Sequence, residues 1–453
     1  MTVTPATPNH VPAPEDDAQE HQYRSGPGSR GHTGWIVAGS LATGPVAAAL
    51  LVAAPFIPPT EAGVTGAVLC GLAVGWTMLA LLPVRFTDQP QPWAAAPALF
   101  MGLSGLLLVA FGSSVREVLT WVWPPALLAL VIWMFVRARR QLRSPTRRWL
   151  LYPVLAVLTL ASVGGGYQTV REAADARAYP PPGLLIDVGG HRLHLNCNGS
   201  GGPTVVLDPG AGMKSSDLGW VTPAVARDTR VCVYDRAGRG WSEPADTPQD
   251  ATQIATDLHT LLHRGQVPGP YVLAGHSFGG LYALTFAARY PDEVAGMVLV
   301  DSTAPAPASE PASPPRATAP GDGGSSELSG RVTALISTSA RLGLGRLIGQ
   351  PTVGALRSTI DEYAQGDSSA KQAASLRDFA DKPLIVLTAG VGSEAGWTAK
   401  QDALARLSTN SVHRVITGAD HAGLIVDEKG AAATTRAILD VVSSVRTLRP
   451  LAG

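Results

Sequence analysis

The sequence predicts an all-α transmembrane region followed by an α/β domain. Three observations predict this. Five apolar stretches, each close to the thickness of a bilayer, crowd the first third of the chain. From Leu184 onward, short apolar runs alternate with amphipathic ones, as strands covered by helices do. Within that second part, Tyr271-Val-Leu-Ala-Gly-His-Ser-Phe-Gly-Gly280 passes from a short apolar run through G-x-S-x-G into helix-forming residues.

The 453 residues carry a formal net charge of zero, so nothing points to nucleic acid as a partner. Three cysteines exclude a disulfide-dense scaffold, and no Cys/His spacing suggests a zinc site. The expected division is a tail over 1–33, a membrane region over 34–168, a linker over 169–183 and a domain over 184–453.

Residues 1–33 are polar and rich in Pro, Ser, Gly and His, which predicts disorder. They are too long and too acidic for the basic leader of a cleaved signal peptide. The apolar stretches run from Trp35 to Ile57, Ala62 to Leu82, Trp93 to Gly112, Val118 to Val136 and Trp149 to Tyr167. None holds a charge in its interior, and each nears the roughly 20 residues that cross a bilayer as a helix. Trp35, Trp93, Trp121, Trp123 and Trp149 lie near stretch ends, where an aromatic belt belongs.

The loop after the fourth stretch holds Arg137, Arg139, Arg140, Arg143, Arg147 and Arg148, which assigns it to the cytoplasmic face. Counting back puts the amino terminus inside, and an odd number of spans puts everything after Tyr167 outside. The expected location is the cell membrane, multi-pass, with an extracytoplasmic domain and membrane lipids as partners. No intramembrane acid or base suggests a transport path, so the spans read as an anchor.

Strands are expected at Leu184–Val188, His191–Cys197, Pro203–Leu207, Arg230–Tyr234, Tyr271–Ala274, Val294–Val300, Pro383–Thr388 and Val412–Ile416. Arg171 to Ala178 reads as a juxtamembrane helix. Pro248 to Arg264 reads as an amphipathic helix with Ile254, Leu258, Leu261 and Leu262 on one face. His191, His194, His259 and His263 are expected near the surface. Leu328 to Ile348 and Ala355 to Phe379 read as helices, after a flexible excursion from Ala304 to Ser326 rich in Pro, Ala and Ser. Two readings stay open for Cys197 and Cys232, a disulfide between strands or two buried thiols.

Strand, sharp turn and helix form the context that G-x-S-x-G needs, with the Ser hydroxyl exposed at the turn. Gly275 and Gly279 lack the Cβ atoms that would collide there. On these residues the chain resembles the α/β-hydrolase superfamily, from about Leu184 to its end. The resemblance implies a mostly parallel central sheet with helices on both faces, an antiparallel opening hairpin and Ser277 as nucleophile. It implies an oxyanion turn at Asp208-Pro-Gly-Ala-Gly212, with N–H donors from Ala211 and Phe278. Pro209 stands where the family often has His. Asp235-Arg-Ala-Gly-Arg-Gly-Trp-Ser242 matches a family loop that is structural in most members.

His421, beyond the last expected strand, takes the place of the family's base. The acid has two open positions, Asp301 after the strand ending at Val300 and Glu394 after the penultimate strand, with Asp301 preferred. A helical cap is implied over about 302–382. Its Leu335, Ile336, Leu342, Leu344, Leu347 and Ile348 either line an acyl pocket or simply pack, and packing is preferred.

The implied chemistry is acyl transfer from a small-molecule or lipid ester to water through an acyl-enzyme, with no metal or organic cofactor. Ser at the nucleophile position argues against dehalogenase and epoxide-hydrolase chemistry, which use Asp there. Two alternatives stay open: an acyltransferase using the same site, and a non-catalytic membrane sensor or scaffold with this fold.

Overall fold

In the computed structural model, residues 29–86, 90–141, 145–245, 247–306, 331–332, 334–339, 341 and 353–452 are described. Four helices open the chain: α1 (Ser29–Ala53), α2 (Glu61–Phe86), α3 (Ala95–Gln141) and α4 (Pro145–Ala178). α3 is broken at Gly112, where φ of 59° and ψ of −130° leave the helical region. A residue without Cβ takes that conformation readily. The break turns α3 into two spans. The helices thus supply five stretches long and apolar enough to cross a membrane: Trp35–Ala53, Glu61–Phe86, Pro92–Gly112, Ser114–Arg140 and Leu151–Ala178. They agree with the five read from hydropathy.

Two details differ. α1 already begins at Ser29, inside the stretch expected to be disordered, whose first 28 residues lie outside the described ones. α4 continues unbroken to Ala178, so the expected juxtamembrane helix is the end of the fifth span.

The domain is one eight-stranded sheet in the order β1-β2-β4-β3-β5-β6-β7-β8. Its strands are β1 (Leu184–Asp187), β2 (Arg192–Asn198), β3 (Thr204–Asp208), β4 (Val231–Tyr234), β5 (Tyr271–His276), β6 (Val294–Val300), β7 (Leu384–Ala389) and β8 (Ser411–Ile416). β2 runs antiparallel to β1 and β4, and the other neighbours are parallel. The helices are α5 (Val221–Val225), α6 (Ala251–Arg264), α7 (Phe278–Arg289), α8 (Val353–Ala364), α9 (Gly366–Ala373), α10 (Trp397–Ala405), α11 (Gly423–Val426) and α12 (Glu428–Thr447).

Alternate strand residues feed two cores, as the two-residue period of a strand requires. Val206, Leu273 and Val386 pack with Leu258 and Leu261 of α6 and Phe286 of α7. Val205, Val272 and Ile385 pack with Ile438 and Val441 of α12. Strands covered on both faces explain why β3, β5 and β7 are continuous apolar runs. From β3 the chain steps to one side (β4) and then to the other (β5), so the sheet reverses its winding between β3 and β5. A crevice at the carboxyl ends of the strands is expected at such a point.

Cys197 faces Cys232 across the β2–β4 register and is disulfide-bonded to it, which removes the free-thiol reading. The expectation of surface positions for His191 and His194 is corrected. His194 is 0% exposed. Its Nδ1 lies 2.9 Å from Asp235 Oδ2, and its Nε2 bonds Pro182 O at 2.6 Å. His191 is also buried, with Nε2 3.4 Å from Asp257. Strand alternation alone reads the His194 face of β2 as wet, and Arg192 and Asn198 on it are exposed, but Trp241 and Pro182 cover His194, and Asp257 of α6 covers His191.

Most of the Ala304–Ser326 excursion, and Leu342, Leu344, Leu347 and Ile348, lie outside the described residues. Residues 331–332 and 334–339 are helical. They dock on the membrane helices: Ala334 packs with Val52, Ile57, Val64 and Ala67, and Arg331 Nη2 donates to Ile57 O at 3.0 Å. The helix expected over Ala355–Phe379 is two, α8 and α9, separated at Gln365.

Candidate active site

β5 delivers Ser277 into a backbone conformation (φ 54°, ψ −122°) that a side chain rarely adopts. Its neighbours leave no alternative. A Cβ on Gly275 would lie 2.4 Å from Gly279 O, and one on Gly279 would lie 2.1 Å from Asp208 O. Ser277 N donates to Val300 O at 3.1 Å, and Ser277 O accepts from Thr303 N at 3.1 Å. The strained turn is thus held by the flanking strand. Phe278 is the first residue of α7, so its N–H has no acceptor within the helix.

Asp301 directly follows β6, 3% exposed and with φ of 43°. His421 Nδ1 donates to Asp301 Oδ2 at 2.6 Å. Asp301 Oδ1 accepts from Trp397 Nε1 at 2.7 Å and from Ala389 N at 3.1 Å. Burial pushes this carboxyl up, but the bonds from His421, Trp397 and Ala389 outweigh it and hold it below the usual range. An ionised Asp301 keeps the imidazole proton on Nδ1 and leaves Nε2 free to accept one. Glu394 is exposed, while Asp420 Oδ1 faces its own loop and accepts from Gly423 N at 2.7 Å.

The His421 loop is pinned from below. His276 Nε2 donates to His421 O at 2.9 Å, with the two rings 4.6 Å apart. Burial, and then the nearby His421, push His276 down to about 4, so it stays neutral at ordinary pH.

The loop Asp208–Gly212 beyond β3 lies against the turn at Ser277: a Cβ on Gly210 would sit 3.1 Å from Ser277 Cβ. Arg236, 3% exposed, organises it. Its Nη1 donates to Asp208 Oδ1 and Pro209 O, each at 2.7 Å, and its Nη2 to Gly210 O at 2.7 Å. Its Nε donates to Glu362 Oε1 at 2.8 Å. Arg239 Nη1 donates to Gly212 O at 3.1 Å, and Gly212 N donates to Glu362 Oε2 at 2.7 Å.

These bonds settle how one peptide unit is turned. In a trans peptide the C=O and N–H point opposite ways. Gly210 O faces Arg236, so the Ala211 N–H points away from that guanidinium. The Gly212 N–H is already used by Glu362. Burial pushes Asp208 up to about 6 against the pull of Arg236 and the Tyr234 hydroxyl. Burial also opposes ionisation of Glu362, but Arg236 and Arg239 hold it below its ordinary value.

The structure therefore brings Asp301 to His421 and lays the Ala211 loop against Ser277. Sequence reasoning missed Arg236, Arg239, Glu362, Trp397 and the pinning role of His276. Two arginines inside a Gly-rich loop that follows a buried strand were the one visible signal. Asp235 is structural, as expected: it accepts from Ser215 N at 2.7 Å and Trp241 N at 3.2 Å. Among the described residues, His259, His263 and Glu293 alone gather three metal-type ligand atoms. They sit by the amino-terminal end of β6, opposite the end that carries Asp301.

Residues 203–328 match the family model described as alpha/beta hydrolase fold. An uncharacterised protein of Schizosaccharomyces pombe is 45% identical over 82 residues, 18% of this chain and 15% of that protein. "Putative carbamate hydrolase RutD" of Pseudomonas savastanoi pv. phaseolicola is 35% identical over 114 residues, 25% of this chain and 43% of that protein. The chain spans less than half the length of these relatives. The crystal structure of an enol-lactonase from Burkholderia xenovorans superposes with a TM-score of 0.41 and 21% identity, covering 57% of this chain and 100% of that one. The strand order and the family model carry the fold assignment.

Proposed function

The carboxy-terminal domain is an α/β-hydrolase fold, and from that premise we propose that the chain is a membrane-anchored serine hydrolase. Its substrate is a carboxylic ester, including a lipid ester. Ser277 Oγ attacks the carbonyl carbon while His421 Nε2 takes the hydroxyl proton. Asp301 orients the imidazole and stabilises the imidazolium. The Ala211 and Phe278 N–H groups receive the developing oxyanion, each contributing about 3 kcal/mol of barrier lowering. The carbonyl reforms, the ester C–O bond breaks, and His421 returns its proton to the leaving alkoxide. Water, activated by the same His421, then cleaves the acyl-enzyme and restores Ser277.

One observation carries the reading: the 2.6 Å bond between His421 Nδ1 and Asp301, on loops at the strand ends beside the strained Ser277. The test is covalent labelling of the detergent-purified full chain by a fluorophosphonate, with peptide mapping, beside Ser277→Ala. Label on Ser277 that vanishes in the variant is the expected result. Folded protein that takes no label would turn the reading to a non-catalytic sensor.

We read 184–453 as the catalytic domain, 302–382 as its cap and 34–168 as the anchor, in the cell membrane with the domain outside. The Cys197–Cys232 bond supports this side, because disulfides persist in oxidising compartments. Ser216→Cys in intact cells should react with a membrane-impermeant maleimide. Reaction only after lysis would reverse the orientation.

A further inference from the structure

Away from the serine site, α6 and the turn that feeds β6 bring three ligand-type side chains together. His259 and His263 are four residues apart on α6, so one face of the helix carries both rings. Glu293 closes the short turn Pro291–Glu293 just before β6, and its N–H donates to Tyr290 O at 3.0 Å. His259 Nδ1 lies 3.1 Å from Glu293 Oε1, and His263 Nε2 lies 3.3 Å from the same oxygen. All three ligand atoms fall within 4.8 Å of one another.

The surroundings favour a cation between them. His259 stacks on Tyr290, with centroids 4.0 Å and planes 6° apart, which holds its ring in place. The nearby cationic side chains are engaged elsewhere. Arg289 lies over the Tyr290 ring, and Lys382 Nζ donates to Pro291 O at 2.6 Å. Glu293 pairs with no Lys or Arg among the described residues, only with the two imidazoles. His413 and His421 each bond one carboxylate at close range, 2.7 and 2.6 Å. Here one oxygen is shared by two rings at longer range. Ligands about 2.0–2.1 Å from a tetrahedral zinc ion lie about 3.3 Å from one another.

We propose that His259, His263 and Glu293 bind a divalent transition-metal ion of the zinc class. Two imidazoles and one carboxylate suit zinc, nickel(II) or copper(II), whereas calcium and magnesium take oxygen ligands. Three protein ligands leave a fourth position for water. The rings are open enough to admit an ion, with side-chain exposures of 30% for His259 and 58% for His263. Bound there, the ion ties the last turn of α6 to the start of β6, at the end of the sheet opposite Asp301. Its role is to stabilise the fold, and it takes no part in the serine chemistry proposed above. The helix supplies only two of the ligands; the third comes from 30 residues beyond His263.

The test uses the full chain, purified in detergent without a histidine tag and stripped with EDTA. Zinc chloride is titrated in competition with a chromophoric chelator. One ion per chain is expected, with a Kd of about 1 µM or tighter, and calcium or magnesium in about 100-fold excess should not displace it. Zinc should also raise the Tm of the same protein, since it binds the folded chain. His263→Ala, at an exposed position, and Glu293→Gln should each weaken binding by at least about tenfold. His413→Ala should leave the Kd unchanged. Cobalt(II) in place of zinc should give visible absorption that both ligand variants lose. Zinc binding that survives both His263→Ala and Glu293→Gln would place the ion elsewhere, for example on His10, His21 or His32 of the tail, and overturn the proposal. No binding up to about 100 µM zinc would mean hydrogen bonding alone and overturn it too. So would equal displacement by calcium.

Discussion

Glu362, on α8, accepts the Gly212 N–H at 2.7 Å across 150 residues of sequence. The same carboxylate takes Arg236 Nε at 2.8 Å and Arg239 Nη2 at 3.1 Å, all in the interior. The shape of the loop beyond β3 is thus held from α8. Glu362→Gln keeps an acceptor for Gly212 but leaves two buried guanidiniums short of a counter-charge. A stability loss of about 3 kcal/mol is expected by urea unfolding. Ester turnover should lose about tenfold in kcat with little change in KM. An unchanged kcat in folded Glu362→Gln protein would uncouple α8 from the loop.

Asp301→Asn should be the more damaging of two carboxylate changes. Asn can still accept from Trp397 and Ala389 through Oδ1, but its NH2 would face His421 Nδ1 and favour the wrong tautomer. A fall of about 10⁴ in kcat is expected for a base that depends on that tautomer. Glu394→Gln should stay within about twofold of wild type, as a surface change does. Reversal of that order in an ester assay would move the acid to Glu394.

His276 acts through His421 rather than on substrate. Its Nε2–H holds the His421 carbonyl, so His276→Ala should free that loop and lower kcat about tenfold without moving KM. Because His276 is pushed down to about 4, it does not change charge between about pH 5 and 9. The pH–rate profile of the variant should therefore keep its shape at a lower plateau. A shifted ascending limb would mean that His276 itself titrates in the reaction.

The His194–Asp235 pair predicts a pH window of stability. Burial opposes the charge on His194, but Asp235 and Pro182 O raise it above its ordinary value. Asp235 is lowered, because His194 and two backbone N–H groups outweigh its burial. A raised His contributes below its unfolded value of about 6.5 and loses that contribution as pH climbs through its folded value. A depressed Asp contributes above about 3.9 and loses it as pH falls. Tm should therefore decline on both sides of mildly acidic pH. His194→Gln should remove the alkaline-side decline and cost about 3 kcal/mol, because Asp235 is left buried without its partner. A decline on the alkaline side that survives the substitution would assign it elsewhere.

Reduction of the Cys197–Cys232 bond, which ties β2 to β4 over 35 residues, should cost about 3–4 kcal/mol in guanidinium unfolding. Alkylation of both thiols in denatured, unreduced protein would refute the bond.

Features that depend on local order were legible in the sequence. Hydropathy marked five spans, because a membrane helix needs only length and the absence of charge. The turn at Ser277 was legible because its glycines answer to contacts only a few residues away. Asp301, with Glu394 beside it, and His421 could be offered as candidates through the family resemblance, without knowing that Trp397 and His276 would steady them. Glu362 gave no such signal: its role exists only where α8 meets a loop 150 residues earlier. His194 was misread for the same reason. Alternation describes a strand's two faces but not the loop that later covers one position on them. Glu61, at the edge of an apolar stretch, gave no hint that Arg341 would reach it across 280 residues.

α4 leaves the fifth span and runs without interruption to Ala178. Its apolar stretch and continuation count 28 residues, so about eight, or roughly 12 Å, extend past what a bilayer needs. The domain grips the very next residues: Tyr179 O accepts from Trp241 Nε1 at 2.9 Å, and Pro182 O bonds His194. On the membrane-anchored reading proposed above, a catalyst mounted on so stiff a post would keep one height and one tilt. It would sample its surroundings as a patrol of an area, not a volume. For an ester dissolved in the bilayer, the quantity that sets its pace is then mole fraction among lipids. Doubling the lipid at constant ester should halve the rate, although bulk concentration is unchanged.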